Sequence, residues 1–310
     1  MPETKLHNII IIGGGIAAHT AALYNARADL EPLVIAGLET DQLSLTTIVE
    51  NFPGFIDGVM GPQLIADAKK QAEKFGAKYL TEFAGAIEIN ENIFTVKTGG
   101  NQYQTKALIV ATGASPRWLG VKGEKENVGK GVSTCATCDA AFYRDKTAVI
   151  VGGGDSAMEE ALVLTKFAAK VIIIHRRDKF NASQIMQDRV FAQKDKIEVI
   201  WNTAVTEVLT DGQFVNAVKL ENSQTGKTTE LKTDGIFLAI GHVPATAMFQ
   251  NLLTLDEQGY IVTDCAKKTN IEGIFAAGDC QDPYFRQAIV AAGAGAQAAL
   301  SAEKYLQDKE

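Results

Sequence analysis

The chain has 310 residues, of which 46% are hydrophobic and 7% aromatic, and it carries 28 glycines with a formal net charge of −7. This length suits two domains with sizeable cores, and the glycine content favours an α/β protein with many tight strand-to-helix turns. The acidic balance argues against nucleic acid or an anionic membrane as a partner, since neither attracts an acidic surface.

The start of the sequence and its cysteines bear on the compartment. The N-terminal segment MPETKLHNIIIIGGG has no long apolar run with a small-residue cleavage site, and no stretch has the length of a membrane-spanning helix. We therefore expect a soluble, cytoplasmic protein. Four cysteines are too few for a disulfide scaffold, so a close pair favours catalysis or metal binding. We expect Cys265 and Cys280 to be free, buried thiols.

A strand, a glycine turn and a helix follow one another at the beginning of the chain. The apolar run NIIII precedes GGG and the Ala-rich segment IAAHTAALYNARA. Gly13, Gly15 and Ala18 match the G-x-G-x-x-A pattern, in which the backbone approaches a pyrophosphate and the helix packs on the sheet. An ordinary strand-to-helix turn is the alternative. The next strand ends in Ala36, with Glu39 three residues on, so the ribose contact stays unassigned.

The next segments predict a helix and a pair of strands. Residues 61–76 favour a helix with Pro62 in its first turn and Gly76 just past its end. The segments GAIEIN and NIFTVKTG alternate between apolar and polar residues, which is typical of antiparallel strands.

Cys135 and Cys138 form a C-x-x-C motif in a loop rich in Gly, Ser and Thr, which indicates exposure. This spacing permits a reversible disulfide and lowers the pKa of one thiol. Asp139 follows at once and is placed to exchange a proton with a departing thiolate. A zinc site would need a second pair of ligands at metal spacing, which the sequence does not offer, so we predict no metal. Two buried structural cysteines are the other alternative.

A second strand, glycine turn and helix lie at residues 147–168. Gly152, Gly154 and Ala157 in GGGDSA repeat the first pattern, and two such elements in one chain indicate two dinucleotides. The following strand ends in His175, Arg176 and Arg177, where a basic group suits the 2′-phosphate of NADP(H). A solvated basic patch is the alternative interpretation.

These repeats predict the domain organisation. Two units so far apart each nucleate a dinucleotide-binding domain, so we expect an α/β protein with two Rossmann-like domains, each three-layered with a small antiparallel sheet. The similar segments ALIVATGASP and GIFLAIGHVP mark where the chain leaves and re-enters the first domain. The prediction is a first dinucleotide-binding domain at 1–115 and 246–310, with the second domain at 116–245 inserted in it and carrying the C-x-x-C. The tail predicts a strand, a polar turn and a long helix.

The chain resembles the bacterial-type, low-molecular-weight thioredoxin reductases over essentially its whole length. The segments that carry the resemblance are GGGIAAHTAALYNAR, VENFPGF, ATGASPRWLG, CATCDAAF, GGGDSAMEEALVLT, HRRDKFNAS and the tail GIFAAGDC with RQAIVAAGAG. It implies a homodimer that passes electrons from NADPH through FAD and the Cys135/Cys138 dithiol to a thioredoxin-like protein disulfide. It also implies that the inserted domain rotates between two arrangements.

The resemblance assigns roles to individual residues. Cys138 would face the flavin, and Asp139 would serve as the acid. The remaining assignments divide between the two cofactors: the FAD site would contain Gly13, Gly15, Ala18, Gln42, Asn51, Ala111, Thr112, Asp279, Arg286, Gln287 and Ala288, and the NADPH site would contain Gly154, Asp155, Ser156, His175, Arg176 and Arg177.

Two departures from the family pattern stand out. Where the family has a Gly-Gly-Gln-Leu-Thr turn beside the flavin, this chain has Glu39-Thr40-Asp41-Gln42-Leu43-Ser44, so that turn must be built differently. Where the family has an arginine after Phe in the HRR segment, Phe180 is followed here by Asn181. One of the basic side chains that the family places at the phosphate of the nucleotide is therefore absent here.

Two other functions fit the same residues. A related flavoprotein could use another electron donor or another disulfide, given the altered turn and Asn181. Alternatively, the chain could be a dinucleotide-binding or redox-sensing module whose cysteines do not turn over. An NADPH-dependent assay with a disulfide acceptor separates these functions.

Overall fold

The computed structural model describes residues 5–37, 41–46 and 48–309. The chain divides into two compact units. The first unit combines the chain up to Ser115 with the chain from Val243 onward, and the second unit runs from Pro116 to His242.

The described residues form helices of very different lengths. In chain order they are α1 (Ile16–Arg27), α2 (Gly61–Lys74), α3 (Ala136–Asp139), α4 (Asp155–Leu164), α5 (Gln184–Phe191) and α6 (Ala288–Gln307). The predicted helix at 61–76 is confirmed, with Pro62 in its first turn, and it ends two residues before Gly76.

The strands are mostly short. In chain order they are β1 (Leu6–Ile12), β2 (Leu33–Ile35), β3 (Ile48–Val49), β4 (Val59–Met60), β5 (Lys78–Leu80), β6 (Ala86–Asn90), β7 (Ile93–Lys97), β8 (Gln102–Val110), β9 (Ala114–Pro116), β10 (Val132–Ser133), β11 (Thr147–Gly152), β12 (Lys170–Ile174), β13 (Ile197–Ile200), β14 (Thr203–Thr210), β15 (Val215–Asn222), β16 (Thr228–Lys232), β17 (Gly235–Ala239), β18 (His242–Pro244) and β19 (Ile274–Ala276).

The first unit is built on a sheet with the order β5-β2-β1-β8-β7-β6, and β19 also pairs with β8. The neighbours β5, β2, β1, β8 and β19 are parallel, whereas β6 and β7 pair antiparallel, as the alternation of their sequences predicts. Strand β1 is buried on both faces, since Ile9, Ile10 and Ile11 are inaccessible to solvent. A central parallel strand of this kind requires an uninterrupted apolar run, and NIIII provides it.

Alternate residues of β1 face two separate cores. Ile9 and Ile11 pack with α1, α2 and α6, whereas Ile10 and Ile12 pack on the opposite face, with the side chains of β7 and of residues 249–261. The first unit is therefore layered about its sheet.

Helices α1 and α6 approach each other closely in the first unit. A Cβ atom at Gly295 would overlap the carbonyl oxygen of Ala17 and lie 3.0 Å from its carbonyl carbon. One turn further along α6, the carbonyl oxygen of Ala299 accepts a hydrogen bond from Nδ2 of the buried Asn25 in α1, at 3.1 Å. The small residues of RQAIVAAGAGAQAAL therefore let the last helix lie directly against the first.

The second unit is also built on a central sheet, with helices on one face and an antiparallel sheet on the other. Its parallel sheet has the order β10-β17-β11-β12-β13, and a separate antiparallel sheet has the order β14-β15-β16. Ala148 and Ile150 of β11 pack in the core that includes α4 and α5, while Val149 and Val151 pack in the core that includes β14 and β15. The unit therefore has three layers, and the α/β class with small antiparallel sheets is confirmed.

Two short strands lie where the chain passes from one unit to the other. Strand β9 spans the first passage and β18 spans the return, and the two strands pair with each other. In the described part of the chain, no helix is both long enough and apolar enough to cross a membrane.

The crossing of α1 and α6 predicts opposite effects for two glycines of one helix. Gly295→Ala should destabilise the protein by about 1–3 kcal/mol, because the new methyl group has no space. Gly293 has no atom within 4 Å of its Cβ position, so Gly293→Ala should stabilise by about 0.5–1 kcal/mol through the better helix propensity of Ala. Thermal unfolding of both variants measures this difference. Equal melting temperatures would contradict the packing described here.

Candidate functional site

The first glycine turn lies where β1 meets β8 at the carboxyl edge of the sheet. Gly13 has a φ of 136°, which favours glycine, and a Cβ on it would overlap the carbonyl oxygen of Ala111. A Cβ on Gly14 would lie 2.6 Å from the carbonyl oxygen of Ala36. Gly15 is the N-cap of α1 and has open space around it, with no capping side chain and no acidic residue in the first turn. The amide groups of this helix end can therefore bind an anion.

Polar groups of the first unit gather at the same edge. Thr112 follows β8, and its buried hydroxyl hydrogen-bonds to the thiol of Cys280. Asp279 lies in the turn after β19, and burial raises its pKa to about 6, with a further rise from Asp282 that Arg286 opposes. The buried carboxyl group of Asp279 favours a polar ligand at this edge.

A single aspartate organises the segment before α6. The carboxylate of Asp282 accepts hydrogen bonds from the backbone amides of Tyr284, Phe285 and Arg286. Arg286 adopts a φ of 48°, which is uncommon outside glycine. Asp282 is not among the site residues predicted from the sequence, although an Asp followed by Pro is a common start for such a turn.

The residues predicted beside the flavin from other segments have different surroundings. Asn51 donates from Nδ2 to Oε1 of Gln287 at 3.2 Å, and Gln287 is the N-cap residue that precedes Ala288 in α6.

Gln42 is exposed and begins the 3₁₀ turn Leu43–Leu45. Asp41 accepts a hydrogen bond from the backbone amide of Ser44 at 3.0 Å. The altered turn is thus closed by Asp41, while its residues Glu39 and Thr40 lie outside the described residues.

The second glycine turn has the same construction as the first. A Cβ on Gly152 would overlap the carbonyl oxygen of Ala239 and lie 2.7 Å from Cβ of Ala157. Gly154 is the N-cap of α4 and has no capping side chain. Two predicted residues, Asp155 and Ser156, begin the helix, and Ala157 is fully buried.

The basic segment follows β12 and lies beside this turn. Arg176 and Arg177 are exposed, whereas His175 is only 7% exposed. Asn181 lies over the turn, with Nδ2 at 3.7 Å from the position of a Cβ on Gly154. Sequence analysis groups His175 with the two arginines, but its side chain is buried where theirs point to solvent.

The serine after this segment is tied to the start of α4. Ser183 donates from its amide at 2.7 Å and from its hydroxyl at 2.8 Å to Oδ1 of Asp155. The segment is therefore fixed to the helix that the glycine turn begins.

Cys135 and Cys138 form a disulfide with their Cα atoms 5.3 Å apart. The expectation of a loop is wrong here, because Ala136–Asp139 form the short helix α3 with Cys135 as its N-cap. The amide of Cys138 donates to Sγ of Cys135 at 3.2 Å, a contact with the first turn of a helix that favours a thiolate. Cys138 is exposed, and Ala136 is buried in the core that α4 also enters.

Asp139 ends this helix beside Ser133. Burial raises the pKa of Asp139, and a hydrogen bond with the Ser133 side chain opposes that rise. Ser133 also accepts a hydrogen bond from the amide of Cys135 at 3.1 Å. Sequence interpretation did not include Ser133, and its place two residues before the C-x-x-C motif is the pattern that points to it. A carboxyl group with a raised pKa can hold a proton close to the disulfide.

The two other cysteines differ from each other. Cys280 is buried and donates to the carbonyl oxygen of Ala277 at 3.2 Å, and burial raises its pKa to about 11. Cys265 is exposed, so the expectation that both are buried is wrong. Cys265 lies in a surface turn in which Asp264 accepts hydrogen bonds from the amides of Ala266 and Lys268. No cluster of metal-ligating residues occurs in the ranges that the structure describes.

Comparisons with known proteins agree with this geometry. A family model described as "Pyridine nucleotide-disulphide oxidoreductase" matches residues 7–295. A thioredoxin reductase of Streptomyces coelicolor is 48% identical over 307 residues, which cover 98% of this chain and 95% of that protein. A thioredoxin reductase of Listeria monocytogenes is 45% identical over 307 residues, with 99% and 96% covered.

Solved structures give the same result. The crystal structure of thioredoxin reductase from Streptococcus pyogenes matches with a TM-score of 0.94 at 40% identity and covers 99% of this chain and 100% of that chain. The thioredoxin reductase from Giardia duodenalis matches with a TM-score of 0.93 at 44% identity, with 98% and 99% covered. The chain therefore belongs to the pyridine nucleotide-disulphide oxidoreductase family, which implies the use of a flavin and a pyridine nucleotide, and within it to the bacterial-type thioredoxin reductases.

Proposed function

We propose that this protein is a thioredoxin-disulfide reductase that uses NADPH and FAD to reduce the disulfide of a thioredoxin-like protein. The observation that carries the proposal is the Cys135–Cys138 disulfide, which has one exposed cysteine and is followed directly by Asp139, a carboxyl group whose pKa is raised by burial. The names of the relatives support the same substrate. By the same resemblance we propose a homodimer, and we place the reaction in the cytoplasm, where thiols are kept reduced.

The first unit has features that suit FAD. The diphosphate would lie at the open N-terminus of α1, because Gly13 and Gly15 leave the backbone accessible there. The buried carboxyl of Asp279 would take up a polar group of the cofactor, and the Thr112 hydroxyl is a further proposed contact at the same edge. Further FAD contacts proposed from the resemblance are Ala18, Gln42, Asn51, Ala111, Arg286, Gln287 and Ala288. Bound FAD would supply the chemistry that accepts a hydride and passes on electrons.

The second unit has features that suit NADPH. Its diphosphate would lie at the N-terminus of α4, beside Gly154, Asp155 and Ser156. The exposed Arg176 and Arg177 follow the next strand, where the 2′-phosphate of a bound nucleotide is recognised in this fold. Asn181 lies beside the same turn without a charge, so these two arginines would carry the preference for NADPH.

The cysteines would exchange disulfides in a balanced sequence. Two electrons, which NADPH would supply through FAD, and one proton reduce the Cys135–Cys138 disulfide to one thiolate and one thiol, and the thiolate then attacks a sulfur of the substrate disulfide. That attack breaks the substrate disulfide and forms a mixed disulfide, and the thiolate that leaves takes a proton from Asp139. The thiol of the second cysteine returns a proton to the Asp139 carboxylate as its sulfur attacks the mixed disulfide, which releases the second sulfur of the reduced substrate as a thiolate and restores the disulfide of the enzyme.

The cysteine pair is tested by three serine substitutions. Cys135→Ser and Cys138→Ser should each abolish reduction of thioredoxin while NADPH still bleaches the bound flavin, because each variant lacks only the dithiol. Cys265→Ser is the matched control, since that exposed thiol lies outside the disulfide, and it should keep full activity. Stopped-flow absorbance and an insulin-coupled thioredoxin assay provide the two measurements. Normal turnover by either variant of the pair would refute the assignment.

The proton-holding role of Asp139 predicts a specific loss. Asp139→Asn should slow thioredoxin reduction by about 10²–10⁴-fold and leave flavin reduction by NADPH unchanged. Burial raises the pKa of Asp139, so the wild-type rate of the thiol step should fall as pH rises through that pKa, and the variant should lose this dependence.

The exposed Asp145, six residues along the chain, provides the control. Asp145→Asn should not change either step, and Asn tolerates its positive φ of 59°. If Asp139→Asn turned over as fast as Asp145→Asn, the carboxyl of Asp139 would have no part in proton transfer.

A further inference from the structure

The ring of His175 occupies the space beside the middle glycine of the second turn. A Cβ on Gly153 would overlap Cε1 and Nδ1 of that ring and would lie 2.8 Å from Nε2. The φ of Gly153 is not among the positive values that favour glycine. Space for the histidine ring, and not backbone conformation, is therefore what requires a glycine here.

The same ring supports the segment that follows β12. His175 lies against Phe180 and Trp201, with ring centroids at 5.5 Å and 6.1 Å. The chain after Phe180 folds back over the turn, where the amides of Asn181 and Ala182 both donate to the carbonyl oxygen of Gly153, at 2.9 Å and 3.0 Å. His175 therefore contacts both the glycine turn and the segment that closes over it.

The first glycine turn has no such ring. There the residue after the second strand is Ala36, and its backbone carbonyl is what excludes a side chain from Gly14. In both turns the first glycine lies against a backbone carbonyl and the third begins a helix. The middle glycine differs, because Gly153 lies against a side chain whereas Gly14 lies against a backbone carbonyl. The histidine is thus an addition specific to the second unit.

The charge state of His175 separates it from its neighbours. Burial lowers its pKa, and the charges of Arg177 and Arg176 lower it further. Hydrogen bonds between the ring and the backbone of Lys179 and Gly152 act in the opposite direction. A neutral ring in this position cannot provide the positive charge that a 2′-phosphate requires.

We propose that His175 is a positioning residue, whose buried ring holds Gly153 and residues 180–182 in the geometry that receives the diphosphate of the nucleotide. Selection of the 2′-phosphate then falls to Arg176 and Arg177. The inference rests on the proposed function, because it assumes that this turn binds a pyridine nucleotide. It predicts that His175 affects NADP⁺ and NAD⁺ equally, since both nucleotides have the same diphosphate.

The test is a rescue experiment that measures nucleotide binding without turnover. Isothermal titration calorimetry on the oxidised, FAD-loaded enzyme gives the Kd values of NADP⁺ and NAD⁺. His175→Ala should weaken both by about tenfold, because the turn loses its preorganisation, and should leave their ratio unchanged. Gly153→Ala should weaken binding more, because its methyl group displaces the ring. The double variant Gly153→Ala/His175→Ala should bind better than Gly153→Ala, because the space of the ring is free.

Arg177→Ala is the control for direct recognition of the phosphate. It should weaken NADP⁺ by about tenfold, as expected for the loss of about 1.4 kcal/mol, and leave NAD⁺ unchanged. A loss on His175→Ala that is confined to NADP⁺ would overturn the proposal and make the histidine a phosphate ligand. Failure of the double variant to recover binding would also overturn it, because His175 would then not act through Gly153.

A conservative variant covers the case in which His175→Ala does not fold. His175→Phe keeps a ring beside Gly153 without either nitrogen, so both Kd values should stay within about threefold of wild type; a tenfold loss for NADP⁺ alone would contradict the proposal. Circular dichroism melts establish that each variant is folded. A wild-type enzyme that binds neither nucleotide would refute the proposed function itself, and the inference would fall with it.

Discussion

The structure depends on a close approach of backbone to backbone at two places. At the carboxyl edge of each parallel sheet, the first glycine of a turn lies so near the carbonyl of the adjacent strand that a Cβ would overlap it, Gly13 at Ala111 and Gly152 at Ala239. Adjacent strands lie about 4.8 Å apart, so only a glycine lets the chain turn there and begin its helix at once. The open N-termini of α1 and α4, which we propose as the two diphosphate sites, follow from this constraint.

The two turns differ in the residues that surround them, and that difference gives each unit its proposed task. In the first unit the buried carboxyl of Asp279 and the hydroxyl of Thr112 lie near the carboxyl edge. In the second unit the corresponding region carries exposed arginines and a buried histidine. The second unit also contains the disulfide, on a short helix whose Ala136 packs into the same core as α4. One backbone solution thus supports two different chemistries.

The sequence predicts the features that depend on local pattern. The apolar runs, glycine turns and alternating segments indicate the α/β class, the helix at 61–76, which ends at Lys74 in the structure, and the antiparallel pair β6 and β7, because each depends on neighbouring residues. The reactive pair Cys135 and Cys138 is likewise legible from its spacing. The assignment of residues to cofactor contacts remains a prediction, and the structure provides the burial and the hydrogen bonds of those residues.

Features that depend on distant residues could not be predicted. The helix at Cys135 forms because Ala136 is buried against a core supplied by later segments, whereas Gly, Ser and Thr around it favour a loop. The exposure of Cys265 and the burial of His175 are set by tertiary packing, which a run of charged neighbours does not reveal. Ser133 and Asp282 act through hydrogen bonds to backbone amides, and such roles have weak sequence patterns.

The central claim is that electrons from NADPH reach the Cys135/Cys138 pair through a bound flavin. Anaerobic titration of the purified protein with NADPH, and separately with NADH, tests it most directly when flavin absorbance is followed and thiols are counted after denaturation. We expect NADPH to bleach a yellow protein and to raise the thiol count by two, because the Cys135–Cys138 disulfide opens, and we expect NADH to be less effective. A protein that binds no flavin, or a flavin that NADPH reduces while the thiol count stays constant, would contradict it.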